Sequence, residues 1–324
     1  MRKMLILWSA WLLSNPLFSF PQNVRFGYPT CASCHVNPNG GGVLTPYGRS
    51  TLAEAMTTWS YDGEENLLYG LFKPSKRIDV GADARYLVLP DQRFFMQREF
   101  EVALNWSRYI YGVASSGTYG PLDTPDSRRY YLMATDQKNF WVKAGRFFPN
   151  YGIMSNEHYM LYRGRNFNQG QETWNVEGIY RNSWLELSAA KILGHPDDQK
   201  YGTKTDGFTG RILITPPKWK LTTGISFLGL FDELGYLQAY PAFSAIWAPY
   251  KQLWFETQAG EEDAFFRIGI EPYRGFSIKP QVEHTYMDEH PKYSVVLEWL
   301  PRPHFDLQAI FESQRYIFMY HFYI

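Results

Sequence analysis

Cysteine is almost missing from this chain: two in 324 residues, Cys31 and Cys34. A zinc site needs two further Cys or His ligands at compatible spacing, and none lies nearby. Excess charge is missing too, with 32 Lys plus Arg against 32 Asp plus Glu. Nothing in that balance suggests a nucleic-acid partner. Long hydrophobic runs are also lacking. The longest, Met4 to Leu13, falls short of the ~18 residues a spanning helix needs, and no later segment qualifies.

That run follows Arg2 and Lys3 and precedes Ser14-Asn15-Pro16. The pattern predicts a secretory signal peptide over residues 1–19 rather than a membrane anchor. Losing Arg2 and Lys3 leaves 30 basic against 32 acidic residues.

Aromatic residues, in contrast, are abundant. Phe, Trp and Tyr make up 18% of the chain, yet its mean hydropathy is only −0.37. Many rings combined with many polar groups suit strands with one apolar and one wet face. From Ile78 onward, period-two alternation recurs in segments of about ten residues. Trp219, Leu221, Thr223, Ile225 and Phe227 alternate with Lys220, Thr222, Gly224 and Ser226, sets that face opposite sides of a strand. About sixteen such runs are expected, near 78–89, 93–106, 107–117, 128–135, 138–147, 172–181, 183–192, 207–215, 218–228, 236–247, 250–259, 263–271, 275–285, 292–300, 302–312 and 316–323. Every second connection is short, and most others are longer, among them 118–127, 148–171 and 193–206.

Short turns at one end and long loops at the other mark an outer-membrane β-barrel. Strand lengths also match the nine to eleven tilted residues that cross a bilayer. The last run alternates Tyr316, Phe318, Tyr320, Phe322 and Ile324, as terminal strands of such barrels do. Trp106, Trp174, Trp184, Trp219 and Trp299 suit interfacial girdles, although each suits a core equally well. A soluble exported sandwich or barrel is the competing fold. The expected fold class is thus an all-β transmembrane antiparallel barrel of about 16 strands, residues 77–324. It is preceded by a small segment, residues 20–76, that plugs the lumen.

That segment contains Cys31-Ala-Ser-Cys-His35. In C-x-x-C-H the two thiols form thioethers to haem vinyl groups and the adjacent histidine binds iron as the proximal ligand. A disulfide or a redox pair is the alternative, but the βαβ setting of a thioredoxin-like pair is missing. The expectation is one covalently bound haem c on Cys31, Cys34 and His35. A segment of about fifty residues is too small to bury its cofactor well, and a sixteen-stranded barrel leaves an open lumen. Placing the segment inside the barrel answers both difficulties.

Cys31-Ala-Ser-Cys-His35 together with Leu44-Thr-Pro-Tyr-Gly-Arg49 resembles the fused outer-membrane cytochrome–porins of iron-oxidising bacteria, with their C-x-x-C-H and downstream L-T-x-F-G-R element. The specific likeness covers roughly the first fifty residues, and Tyr47 stands where Phe is usual. The resemblance implies one-electron transfer through the outer membrane between an extracellular donor or acceptor, Fe(II) in the best-known members, and a periplasmic electron carrier.

The distal haem ligand is left open between Met56, His158 and water, with Met154 and Met160 nearby in the long loop; the plainer readings make Met56 a packing residue and His158 a solvated one. Arg49 suits a haem propionate or a surface position capping the turn at Gly48. Gly40-Gly-Gly42 allows close backbone approach or simply flexibility. Arg163 and Arg165, with Lys143 and Arg146, are expected as a cationic patch at the pore constriction. Asp197, Asp198, Asp288 and Glu289 are acidic loop residues that would attract a cation or merely solvate the loop. Three functions compete: an electron conduit, a solute channel in which the segment is a structural plug or gate, and a haem enzyme or gas sensor.

Overall fold

The computed structural model describes residues 21–28, 30–60, 63, 66–71, 73, 75, 77–120, 125–154, 172–195, 206–216, 218–232, 234–261, 263–285, 289–313 and 315–324. The signal peptide expected over 1–19 lies outside these residues, as do His158, Met160, Arg163, Arg165, Asp197, Asp198 and Asp288.

The period-two runs are strands. They are β1 (Ile78–Val88), β2 (Arg93–Ser107), β3 (Ile110–Tyr119), β4 (Pro125–Asp126), β5 (Tyr130–Thr135), β6 (Phe140–Phe147), β7 (Thr173–Arg181), β8 (Leu185–Gly194) and β9 (Asp206–Ile214). The second half adds β10 (Leu221–Phe231), β11 (Leu237–Tyr250), β12 (Leu253–Gly260), β13 (Asp263–Tyr273), β14 (Phe276–Thr285), β15 (Lys292–Trp299), β16 (Phe305–Glu312) and β17 (Tyr316–Tyr323). One of these, β4, is two residues long, so sixteen strands form the wall. Sequential neighbours pair antiparallel throughout. The last strand also pairs with the first, with Asp83 opposite Tyr323 and Val88 opposite Phe318. The sheet therefore closes, which removes both edges.

The burial pattern is inverted relative to a water-soluble barrel. Along β7, Trp174 and Val176 are exposed while Asn175 and Glu177 are buried. Along β13, Phe266 is exposed and Arg267 is 1% exposed. The buried face carries Glu101, Lys143, Arg181, Glu186, Arg211, Gln258, Lys279 and Glu283; the outward face carries Leu132, Val142, Ile212, Ile225 and Phe243. A polar interior beneath an apolar outer band is the membrane-barrel arrangement. It also decides between girdle and core for the tryptophans, because Trp106, Trp174, Trp184, Trp219 and Trp299 are all between 37% and 67% exposed.

Charges on the inner face are matched there. Lys143 Nζ lies 2.8 Å from Glu177, with both side chains fully buried. Lys279 Nζ lies 2.8 Å from Glu298, and Arg267 donates to Gln281 at 2.6 and 2.9 Å beside Glu256. Lys143 and Arg146 are thus not the open cationic patch expected from sequence. Lys143 pairs with Glu177, and Arg146 donates to the carbonyls of Glu172 and Ser127 at 3.1 and 2.9 Å. Burying an unpaired charge is costly, which accounts for the partners that Lys143, Arg146, Arg267 and Lys279 find on this crowded face.

A substitution on the outer band tests the membrane reading. Ile225, 59% exposed in β10, replaced by Arg should destabilise the barrel folded in lipid vesicles by about 2–4 kcal/mol, measured by denaturant titration. In a water-soluble barrel the same exposed change would stay within about 0.5 kcal/mol.

Candidate functional site

The Cys31–Ser33 stretch is a single 3-10 turn, closed by the Cys34 and His35 amides donating to the Cys31 carbonyl at 3.2 and 3.1 Å. One turn of chain therefore carries both thiols and the imidazole. The backbone then doubles back. His35 bridges Leu44, and the Val36 amide donates to the Val43 carbonyl at 3.0 Å. Between them Gly40, Gly41 and Gly42 all take positive φ, at 85°, 74° and 64°, a region that penalises any Cβ. The triple glycine makes a tight loop whose backbone closes on Cys31, since a Cβ at Gly40 would lie 3.1 Å from Cys31 Sγ.

Thr45 ends this loop and starts the helix Pro46–Met56. Its side chain accepts from the Gly48 amide at 3.0 Å, an N-cap followed by proline at the first helical position. The Thr45 amide donates to the Cys34 carbonyl at 2.8 Å, so the helix start is tied to the cysteine turn. Gly48 has to be glycine for the same reason, because a Cβ there would overlap the Cys34 backbone.

No disulfide joins the two cysteines; Cys34 is buried and Cys31 half-buried. Cys34 packs with Tyr28, Leu44 and Met56, and Phe26, Ala55 and Tyr323 pack against that group. Met56, one of the expected distal ligands, is thus brought to Cys34. Burial pushes the Cys31 thiol up, while the Arg181 and Arg211 guanidiniums pull it down. Burial likewise pushes the His35 imidazole down to about 4, opposed by backbone hydrogen bonds at Gly42 and Gly41. His35 is therefore neutral at pH 7, and its Nδ1 is buried with no hydrogen-bond partner.

Arg49 has protein partners. It donates to the Leu44 carbonyl at 2.8 Å and lies 3.9 Å from Asp79 of β1, tying the helix start to the wall. Met154 is half-buried and Glu289 is exposed.

Lys143 apart, the strand residues that hold the segment were missed by the sequence reading. Glu101 of β2 accepts from the Val43 amide at 2.9 Å. Glu177 of β7 accepts from Asn39 at 2.8 Å, Lys143 donates to Asn37 at 3.2 Å, and Arg181 donates to the Pro38 carbonyl at 3.2 Å. Farther round the wall, Arg25 pairs with Glu271 and sits 4.4 Å over the Trp254 ring. The Thr58 and Trp59 amides donate to the carbonyls of Leu300 and Pro301, both at 2.9 Å. The signal for these residues was present as charges at alternate strand positions, but only pairing across strands says which of them face the segment.

No cluster of three or more His, Cys, Asp or Glu side chains among the described residues is placed to hold a bare ion. The donor set suits haem c instead. It offers two thiols not joined in a disulfide and one neutral imidazole on a single turn, with Cys31 and His35 each half-buried.

No protein-family model matches the chain, and no curated relative is found. Solved structures do match. A mutant of the Rhodopseudomonas blastica porin aligns with TM-score 0.56 and 8% identity over 76% of this chain and 100% of its own. A loop-deletion mutant of OmpT, an outer membrane protein of Vibrio cholerae, aligns with TM-score 0.52 and 8% identity, over 76% and 99%. The chain has the porin fold. At such identity the likeness speaks for the fold alone.

Replacing Gly48 by Ala should destabilise the cysteine turn by about 1–3 kcal/mol, read from thermal loss of near-ultraviolet circular dichroism. Gly210→Ala is the control, since a Cβ there meets nothing within 4 Å and should change stability by less than about 0.5 kcal/mol.

Proposed function

We propose that this chain is a porin-type channel of the outer membrane stopped by its own N-terminal segment. The observation that carries this reading is the set of contacts from residues 25–59 to buried side chains and turns of the wall, reaching Glu101 on β2, Glu177 and Arg181 on β7 and Glu271 on β13. The polar inner face and apolar outer band support the membrane setting, and the porin fold suggests the outer membrane. As a channel, the protein would admit small solutes only when the segment moves.

A finer reading rests on the C-x-x-C-H turn. Cys31 and Cys34 would hold one haem c by thioethers and His35 would be its proximal ligand; Met56, packed with Cys34, would be a distal candidate. When bound, such a group supplies one-electron transfer. The protein's own contribution is to hold His35 neutral, to keep Arg181 and Arg211 beside Cys31, and to exclude bulk water with the packed segment. Any propionate contact from Arg49 would be shared with Asp79. In this reading a stopped pore passes electrons in place of solutes, between a donor or acceptor outside, Fe(II) being the one the family resemblance implies, and a carrier in the periplasm.

Optical spectra of the detergent-purified protein and conductance in planar bilayers separate the two. The finer reading expects a low-spin c-type spectrum, reducible by ferrous iron, with low conductance in both redox states. Conductance that opens in a protein bearing no haem would leave the gated channel alone. Steady porin-like conductance of the intact chain would overturn both.

A further inference from the structure

The long connection between β6 and β7 does more than link them. Its described start, Phe148 to Met154, turns onto the inner face. The Asn150 amide donates to Glu177 Oε1 at 2.8 Å, the Gly152 amide to Ser226 Oγ at 3.0 Å, and the Ile153 amide to Gln258 Oε1 at 2.8 Å. Three amides of one loop thus bind side chains on β7, β10 and β12.

Two of the wall groups that hold this loop also hold the N-terminal segment. Glu177 is fully buried; one of its oxygens accepts from the loop at Asn150, the other from the segment at Asn39 and from Lys143. Glu186 is the second hub. Its two oxygens bind Arg181 and Arg211, of which Arg181 donates to Pro38 of the segment at 3.2 Å and Arg211 donates to Gly152 of the loop at 3.1 Å. Segment and loop also belong to one apolar cluster, Val24 with Ile153 alongside Ile246, Ala248, Trp254 and Phe265.

We propose that the N-terminal segment and the loop 148–154 form one joint, locked through Glu177 and Glu186, so that neither is released from the wall without loosening the other. The inference rests on the stopped-barrel reading and deepens it by naming what a gate would have to break. A carboxylate shared by two elements couples them. Removing Asn39 leaves Glu177 Oε2 bound to Lys143 alone and frees the carboxylate to turn away from Asn150. Coupling of this kind is reciprocal, so loosening the loop must loosen the segment.

Hydrogen exchange followed by mass spectrometry on the intact, reconstituted chain tests this, whether or not the protein carries haem or conducts. Asn39→Ala, a change in the segment, should speed exchange of the Asn150, Gly152 and Ile153 amides at least tenfold. The double variant Ser226→Ala with Gln258→Ala, which touches only the loop's anchors, should speed exchange at the Gly40 and Val43 amides of the segment. Val24→Ala is a milder variant should either of these fail to fold, and it should speed exchange at Ile153. Exchange changes confined to the altered element would overturn the joint. An unchanged joint in a protein that conducts freely would instead count against the stopped barrel.

Discussion

The polar inner face of a closed sheet is the constraint on which the rest depends. Once β17 pairs with β1, every charged side chain on that face is removed from bulk water and must find a partner or pay heavily for its absence. Lys143 with Glu177, and Glu186 with Arg181 and Arg211, are pairs of this kind. They are also where the N-terminal segment and the loop after β6 attach. The groups that make the interior tolerable thus double as anchor points, and the segment's asparagines and backbone carbonyls complete hydrogen bonds that water supplies in an open pore.

That arrangement bears on the cysteine turn. The turn is fixed from within by the Thr45 cap and the triple-glycine loop, and from without by Glu101 on the Val43 amide. Its imidazole stays neutral because it is buried, and a neutral imidazole is the form that can ligate iron. The segment's small size would leave a cofactor exposed were it alone. Against the wall, the same few residues have Arg129, Arg181 and Arg211 as near neighbours.

Much of the fold was legible in the sequence, because period-two alternation is a backbone property. The sixteen expected runs coincide with the sixteen long strands. The main differences are at their ends: the run expected at 107–117 is strand at Ile110–Tyr119, and that at 218–228 is strand at Leu221–Phe231, since the pattern does not say where a turn takes over. The two-residue β4 has too few residues to alternate. Within the site, C-x-x-C-H and the glycine run were legible because their spacing is local. Glu101, Glu177 and Glu186 were not, because nothing in a single strand tells which inward charge faces the segment and which faces another strand. Arg49 is a further case. Its sequence setting suits a propionate or a cap on the turn at Gly48, and local spacing does not reveal the partners the structure adds, Leu44 and Asp79, the latter on a strand some thirty residues away.

The finer proposal, that the segment stopping the barrel bears a haem and passes electrons in place of solutes, is tested most directly in sealed vesicles with the intact protein inserted. An impermeant reductant is added outside and an oxidised, impermeant dye is trapped inside. The account predicts that the haem becomes reduced and the trapped dye then loses its oxidised colour, at a rate proportional to the protein present. Haem that is reduced while the dye stays oxidised, or dye reduction that persists in a Cys31→Ala, Cys34→Ala chain, would contradict it.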